Sequence, residues 1–203
     1  MRGRIPDENH VRRVAAFRLA LRIALFPGPA LLAGAQTIGM VADDATDSVV
    51  VFDADSETVL GAVPVGTGVV GDCSVTDDQT LGFVTDFAFR VWVIDLASTP
   101  PVLAQPDPIR ISNPGEDTAL SPDGRFLVVC DGFGSDPVSV VDVASRTEVS
   151  TFSLGSNCSS VDVCNDGSVL VASSNAGRVH RLVLNDSGVL SHTGETLSTG
   201  WLA

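Results

Sequence analysis

Three features of this 203-residue sequence predict an all-β fold, a propeller-like array of about four four-stranded antiparallel blades. A tetrapeptide recurs as Met40-Val41-Ala42-Asp43, Phe83-Val84-Thr85-Asp86, Val128-Val129-Cys130-Asp131 and Val171-Ala172-Ser173-Ser174, at spacings of 43, 45 and 43 residues. Each copy is followed, after a short polar loop, by an alternating apolar strand, which ends in Asp in three of the four copies. Eight residues before the end of the last three tetrapeptides stands Asp78, Asp123 or Asp166. Glycine follows two of these, a strong hairpin signal because the turn needs positive φ. Four short strands in a unit of about 40 to 45 residues is the period of a propeller blade, and no stretch after residue 36 has the apolar period of a helix.

Residues 1–35 read as a signal-peptide helix. Arg2, Arg4, Arg12, Arg13, Arg18 and Arg22 precede the apolar run Ile23 to Leu32 and the small triplet Ala33-Gly34-Ala35. This is the basic, apolar, small-residue order of an export signal, with cleavage expected before Gln36. Pro27 and Pro29 interrupt the run, which is far short of the roughly 20 residues needed to span a bilayer. The mature chain, 36–203, is expected to be secreted or periplasmic and to have no membrane span. Without the leader's six arginines and two acids the net charge moves from −13 to −17. A lysine-free chain of that charge does not bind nucleic acid by neutralising phosphates. The full chain's 44% hydrophobic content excludes a disordered acidic tail.

The blades are expected at approximately 38–70, 71–115, 116–158 and 159–203. The first begins at its second strand and continues through Val49 to Asp53. The second has its hairpin at Thr76-Asp77-Asp78-Gln79 and its third strand at Val91 to Asp95. The third turns at Ser121-Pro122-Asp123-Gly124 and continues through Val138 to Asp142. The fourth turns at Cys164-Asn165-Asp166-Gly167, continues through Val179 to Val183, and lacks the closing Asp. At about 43 residues each, the mature length supplies slightly under four blades. An incomplete or open ring is therefore expected, as in a truncated fragment of a larger propeller, with blade edges available for self-association.

The chain resembles the YVTN-type repeat propellers of secreted bacterial proteins. Phe83 to Asp86 reads FVTD, Ser121 to Gly124 gives the SPDG turn, Val138 to Asp142 reads VSVVD, and Phe152 to Gly155 matches the apolar segment that follows. The resemblance spans residues 38 to 200. It implies a blade that serves enzymes, receptors and scaffolds alike.

Candidate chemistry centres on recurring aspartates. Asp43, Asp86 and Asp131 are expected at the ends of second strands, and Asp72 and Asp117 just before first strands, all near one face of the disc. Hard carboxylate oxygens suit Ca²⁺ or another divalent cation, and the resemblance to lactonase-type propellers implies a metal there. The competing reading is that these residues cap turns by accepting backbone N–H bonds. Asp53-Ala54-Asp55-Ser56-Glu57 lacks the spacing of a calcium loop and reads as a solvated turn. No catalytic residue is assigned. His180 alternates with Val179 and is expected at a surface or edge. Four cysteines in an exported chain suggest disulfides. Cys158 and Cys164 are separated by roughly 20 Å of extended chain, too far for a bond that needs Cα atoms within about 7 Å. Blade phasing favours Cys130 with Cys158.

The functional expectation is an exported, non-catalytic binding or scaffold module whose acidic face meets a protein or cell-surface component. The alternative is a metal-dependent hydrolase of the lactonase type, in which a cation polarises a carbonyl.

Overall fold

The computed structural model describes residues 36–66, 68, 70–132, 134 and 137–199; the proposed export signal lies outside them. The described strands form four antiparallel sheets, each a meander of neighbouring strands. Sheet one contains β1 (Ile38–Asp43), β2 (Ser48–Asp53) and β3 (Thr58–Pro64). Sheet two contains β4 (Val70–Val75), β5 (Leu81–Asp86), β6 (Arg90–Asp95), β7 (Val102–Leu103) and β8 (Ile109–Arg110). Sheet three runs β9 (Asp117–Leu120), β10 (Phe126–Cys130), β11 (Val138–Asp142), β12 (Thr147–Phe152). Sheet four runs β13 (Ser160–Val163), β14 (Ser168–Ser173), β15 (Arg178–Leu184), β16 (Leu190–Ser198). Among the described residues there is no helix.

The sheets follow one another through their inner strands: β1 lies against β4, β4 against β9, and β9 against β13. Because side chains alternate across a strand, each middle sheet contributes to two cores. Val84 packs toward sheet one with Val49, Val51 and Ile94, whereas its neighbour Phe83 packs toward sheet three with Leu127 and Val129. Val128 and Cys130 face the other way, meeting Val161, Val169 and Leu182 of sheet four. This two-sided burial explains why β5 and β10 are buried almost along their whole length, while β12 alternates between exposed and half-buried positions. On sheet four's outward face Val183 is 43% and Leu197 70% exposed.

The outer strand of sheet two departs from the expected four-strand plan. It is split into β7 and β8, both of which pair with β6. Pro106 and Pro108 lie in the intervening segment and remove amide donors, so a continuous ladder cannot form there. A proline-broken edge is also a poor template for another chain's strand.

The turns carry the expected aspartate chemistry. Asp53 accepts the Asp55 amide (2.9 Å) and the Ser56 hydroxyl (2.6 Å). Asp95 repeats this with Ala97 (2.9 Å) and Ser98 (2.7 Å). In the inner hairpins Ser121 donates to Asp123 (2.6 Å), with Gly124 at φ +70°, and Gly167 adopts φ +79°. In sheet two the matching residue is Gln79, held at φ +58° while its side-chain oxygen accepts the Ile38 amide of sheet one (2.6 Å). A residue with a side chain thus takes a glycine conformation and gains an inter-sheet bond.

Candidate functional site

The five aspartates fall into two groups by position. Asp43 and Asp86 end β1 and β5, and Asp131 immediately follows β10, placing all three at the turns into the third strands. Asp43 accepts the Ala45 amide (3.1 Å) and the Thr46 hydroxyl (2.7 Å). Asp86 is buried and accepts three donors: the Ala88 amide (2.8 Å), Arg90 Nε (2.6 Å) and the Trp92 indole N–H (2.9 Å). Asp131, also buried, accepts the Gly134 amide (2.9 Å). Their oxygens therefore serve as local hydrogen-bond acceptors, the chemistry of a turn cap.

Asp72 and Asp117 form the second group, on the inner strands β4 and β9. Asp72 Oδ2 accepts the amide of Thr118 (3.3 Å). Asp117 Oδ2 accepts the amide of Val161 (2.9 Å) and the hydroxyl of Ser160. Asp72, Asp117 and Ser160 occupy one repeat position, 45 and 43 residues apart. Each carboxylate thus bonds the amide one residue beyond the matching position on the next inner strand. The two carboxyl groups are also hydrogen-bonded to each other. Burial first, and then the bond to and charge of Asp117, push Asp72 from 3.8 up to about 7. Half-buried beside a second carboxyl, Asp72 keeps its proton toward neutrality, because its ionised form is disfavoured there.

Among the described residues, no three or more His, Cys, Asp or Glu side chains gather where they could hold a metal ion. Cys130 and Cys158 form a disulfide between sheet three and the approach to sheet four, with Cα atoms 5.4 Å apart. Cys73 and Cys164 are free thiols, and burial, followed by the charge of Asp72, pushes Cys73 up to about 12. Such a thiol is not a nucleophile at neutral pH.

Several arrangements need the sheets in place to be seen. Asn113 and Asn157, 44 residues apart, are buried in the connections entering sheets three and four. Asn113 donates to the Pro137 carbonyl (2.7 Å), and Asn157 accepts the Ser173 hydroxyl (3.0 Å) and the Asn175 amide (3.2 Å). Their repeat spacing was the available sequence signal. His180 corrects the surface expectation: it shares the inward face of β15 with Leu182 and is 8% exposed. A groove of about 580 Å³ lies between the β7–β8 connection, Gln105 to Pro108, and the start of β12, Arg146 to Glu148. It presents both charge signs.

Antiparallel topology places the first-to-second and third-to-fourth strand turns at one edge of the array. The turn segments 53–57, 76–80, 95–101, 121–125, 142–146, 164–167 and 185–189 hold ten carboxylates against Arg125 and Arg146, and Arg181 of β15 reaches in to Asp166 (3.1 Å). This edge is strongly negative. Several of its carboxylates are also held below the ordinary range: Asp78 by the Thr76 hydroxyl, Asp123 by the Ser121 hydroxyl, and Asp142 by the Ser145 amide.

No family model and no curated protein matches the sequence. Solved structures do. A functionally unknown protein from Desulfotomaculum acetoxidans matches with a TM-score of 0.72 at 21% identity, over 79% of this chain and 51% of that one. A proposed 6-phosphogluconolactonase from Bacteroides fragilis matches with a TM-score of 0.68 at 17% identity, over 85% and 59%. The WD40 β-propeller domain of Doa1 matches with a TM-score of 0.56 at 16% identity, over 71% and 46%. The match covers between 46% and 59% of these neighbours. At these identities the likeness is one of fold, and the fold is that of β-propeller blades.

Proposed function

We propose that the chain is an exported, non-catalytic β-propeller module of the YVTN-repeat kind that recognises a basic protein or cell-surface component through its acidic edge. The observation that supports this reading is the excess of ten carboxylates over three arginines, Arg181 included, on turns fixed by their own aspartate bonds. Rigid turns bearing one sign of charge attract an oppositely charged surface and cost little ordering on contact. The test is retention of a cell-envelope fraction on the immobilised chain. It is repeated with the triple variant Glu57→Gln, Asp77→Asn, Asp186→Asn, at side chains that make no hydrogen bond among the described residues. Expected is a defined protein or polysaccharide component that elutes with salt and is lost with the triple variant. Retention indifferent to both overturns the reading.

A second reading is a metal-dependent lactonase, favoured by the likeness to the proposed lactonase and by the paired carboxyls of Asp72 and Asp117. Calorimetric titration with Ca²⁺, followed by lactone hydrolysis with and without chelator, separates the two. Tight binding together with chelator-sensitive turnover establishes the enzyme. Self-association through the outward face of sheet four is supported by its exposed Val183 and Leu197, and sedimentation across a concentration series tests it.

A further inference from the structure

We infer that His180 and His192 form a proton-sensitive latch that keeps the outer hairpin of sheet four closed while both imidazoles are neutral. β15 and β16 pair regularly at Arg178–Ser198 and His180–Thr196, and again from Leu182–His192, with the register shifting between. The extra residues Thr193, Gly194 and Glu195 bulge opposite Arg181, and Gly194 takes φ +88°. The bulge brings His192 against His180, with Nε2 and Nδ1 3.1 Å apart and the rings nearly perpendicular.

The direction of each bond is determined. The Gly194 amide donates to His192 Nδ1 (2.7 Å), so that nitrogen carries no proton. Neutral His192 therefore has its hydrogen on Nε2 and donates it to His180 Nδ1. His180 in turn carries its hydrogen on Nε2, which is buried and has no hydrogen-bond partner among the described residues. Both acceptor nitrogens of the pair are thus occupied by donors. A proton added to His192 Nδ1 faces the Gly194 N–H, and one added to His180 Nδ1 faces the His192 N–H. A tautomer shift in His192 rescues the second bond only by breaking the first. Protonation therefore costs the hairpin one of its two imidazole contacts.

The surroundings act in the same direction. Burial, then the charges of His192 and Arg178, hold His180 below its ordinary value of 6.5. Arg181 engages Glu195 and Asp166, each at 3.1 Å, so neither carboxylate is left to stabilise an imidazolium. β14 carries no charged residue, and Glu148 of β12 is bonded to Ser112. With a depressed value in the closed state, the open hairpin binds more protons, so closure is undisturbed above about pH 6.5 and weakens as pH falls below it.

The test uses the whole ¹⁵N-labelled chain. Long-range ¹H–¹⁵N spectra at pH 8 should show His192 protonated at Nε2 and His180 at Nε2, and His180 should titrate below 6.5. Amide exchange at Gly194 and Thr196, corrected for intrinsic rates, should be about tenfold faster at pH 5 than at pH 8. His180→Leu should diminish that difference, since it removes the His180–His192 contact and leaves the Gly194 amide on His192 Nδ1. The opposite tautomers, a His180 titrating at or above 6.5, equal protection at both pH values, or an undiminished pH effect in His180→Leu would each overturn the latch. The wild-type spectra keep the test decisive if the variant does not fold.

Discussion

Asp72→Asn leaves an acceptor oxygen for the Thr118 amide and removes the carboxyl group bonded to Asp117. Burial and Asp117 push Asp72 from 3.8 to about 7, so the folded chain retains a proton that the unfolded chain releases. Where the native state binds more protons, stability falls as pH rises, and the wild type should show this slope between those two values. The variant lacks the titrating group and should not. From pH 5 to the folded value is two pH units, and at about 1.36 kcal/mol per unit the variant gains at most about 2.7 kcal/mol on the wild type. Asp72 is only half-buried, so solvent screening reduces this to a gain of about 1 to 2 kcal/mol. Urea unfolding of both proteins at pH 5 and pH 8, followed by circular dichroism, measures the change in their difference. A difference that is the same at both pH values, or a variant that loses ground at pH 8, refutes the retained proton on Asp72.

Asp86→Ala leaves the Arg90 guanidinium and the Trp92 indole without their buried acceptor and should cost about 3 kcal/mol, read by chemical denaturation. Reducing the Cys130–Cys158 bond, with its separation of 28 residues, should cost about 3.5 kcal/mol by loop-closure entropy, seen as a lower melting temperature in dithiothreitol. Gly124→Ala meets no atom within 4 Å of the added Cβ, so its cost of about 1 kcal/mol should come from φ +70° alone. Asp78, Asp123 and Asp142 are held low by hydrogen bonds, so their stabilisation is present above 3.8 and lost as pH falls below it. Acid unfolding monitored below pH 4 should therefore shift to higher pH in Ser121→Ala, which removes the Asp123 partner.

Local and periodic features were legible in the sequence. The tetrapeptide repeat gave the order of β1, β5, β10 and β14, and strand-ending aspartates at 53, 95 and 142 announced their turns. The likeness of the aspartates concealed a difference that burial decides. Asp43 closes an exposed turn, Asp86 neutralises an arginine inside the fold, and Asp72 meets a carboxyl from another sheet. Only adjacency of β4 and β9 separates these cases, and 45 residues of intervening chain hide it. His180 misled for a similar reason. Its alternation with Val179 is as expected of a strand, but which alternate faces inward is fixed by Leu182 packing on sheet three. The bulge that supplies its partner is marked in the sequence by a single glycine.

The carboxylate bridges between inner strands have a direction. Asp72 reaches forward to Thr118 and Asp117 reaches forward to Val161, whereas at the next matching position Ser160 supplies only a hydroxyl and points it back to Asp117. A repeat copied from 71–115 would bring its own forward connector, and one copied from 159–199 would not. In the vocabulary of assembly, the second and third units are couplers and the fourth is a receiver. An array lengthened by duplication should therefore be built from the former, with Ser160→Asp as the change that converts the latter.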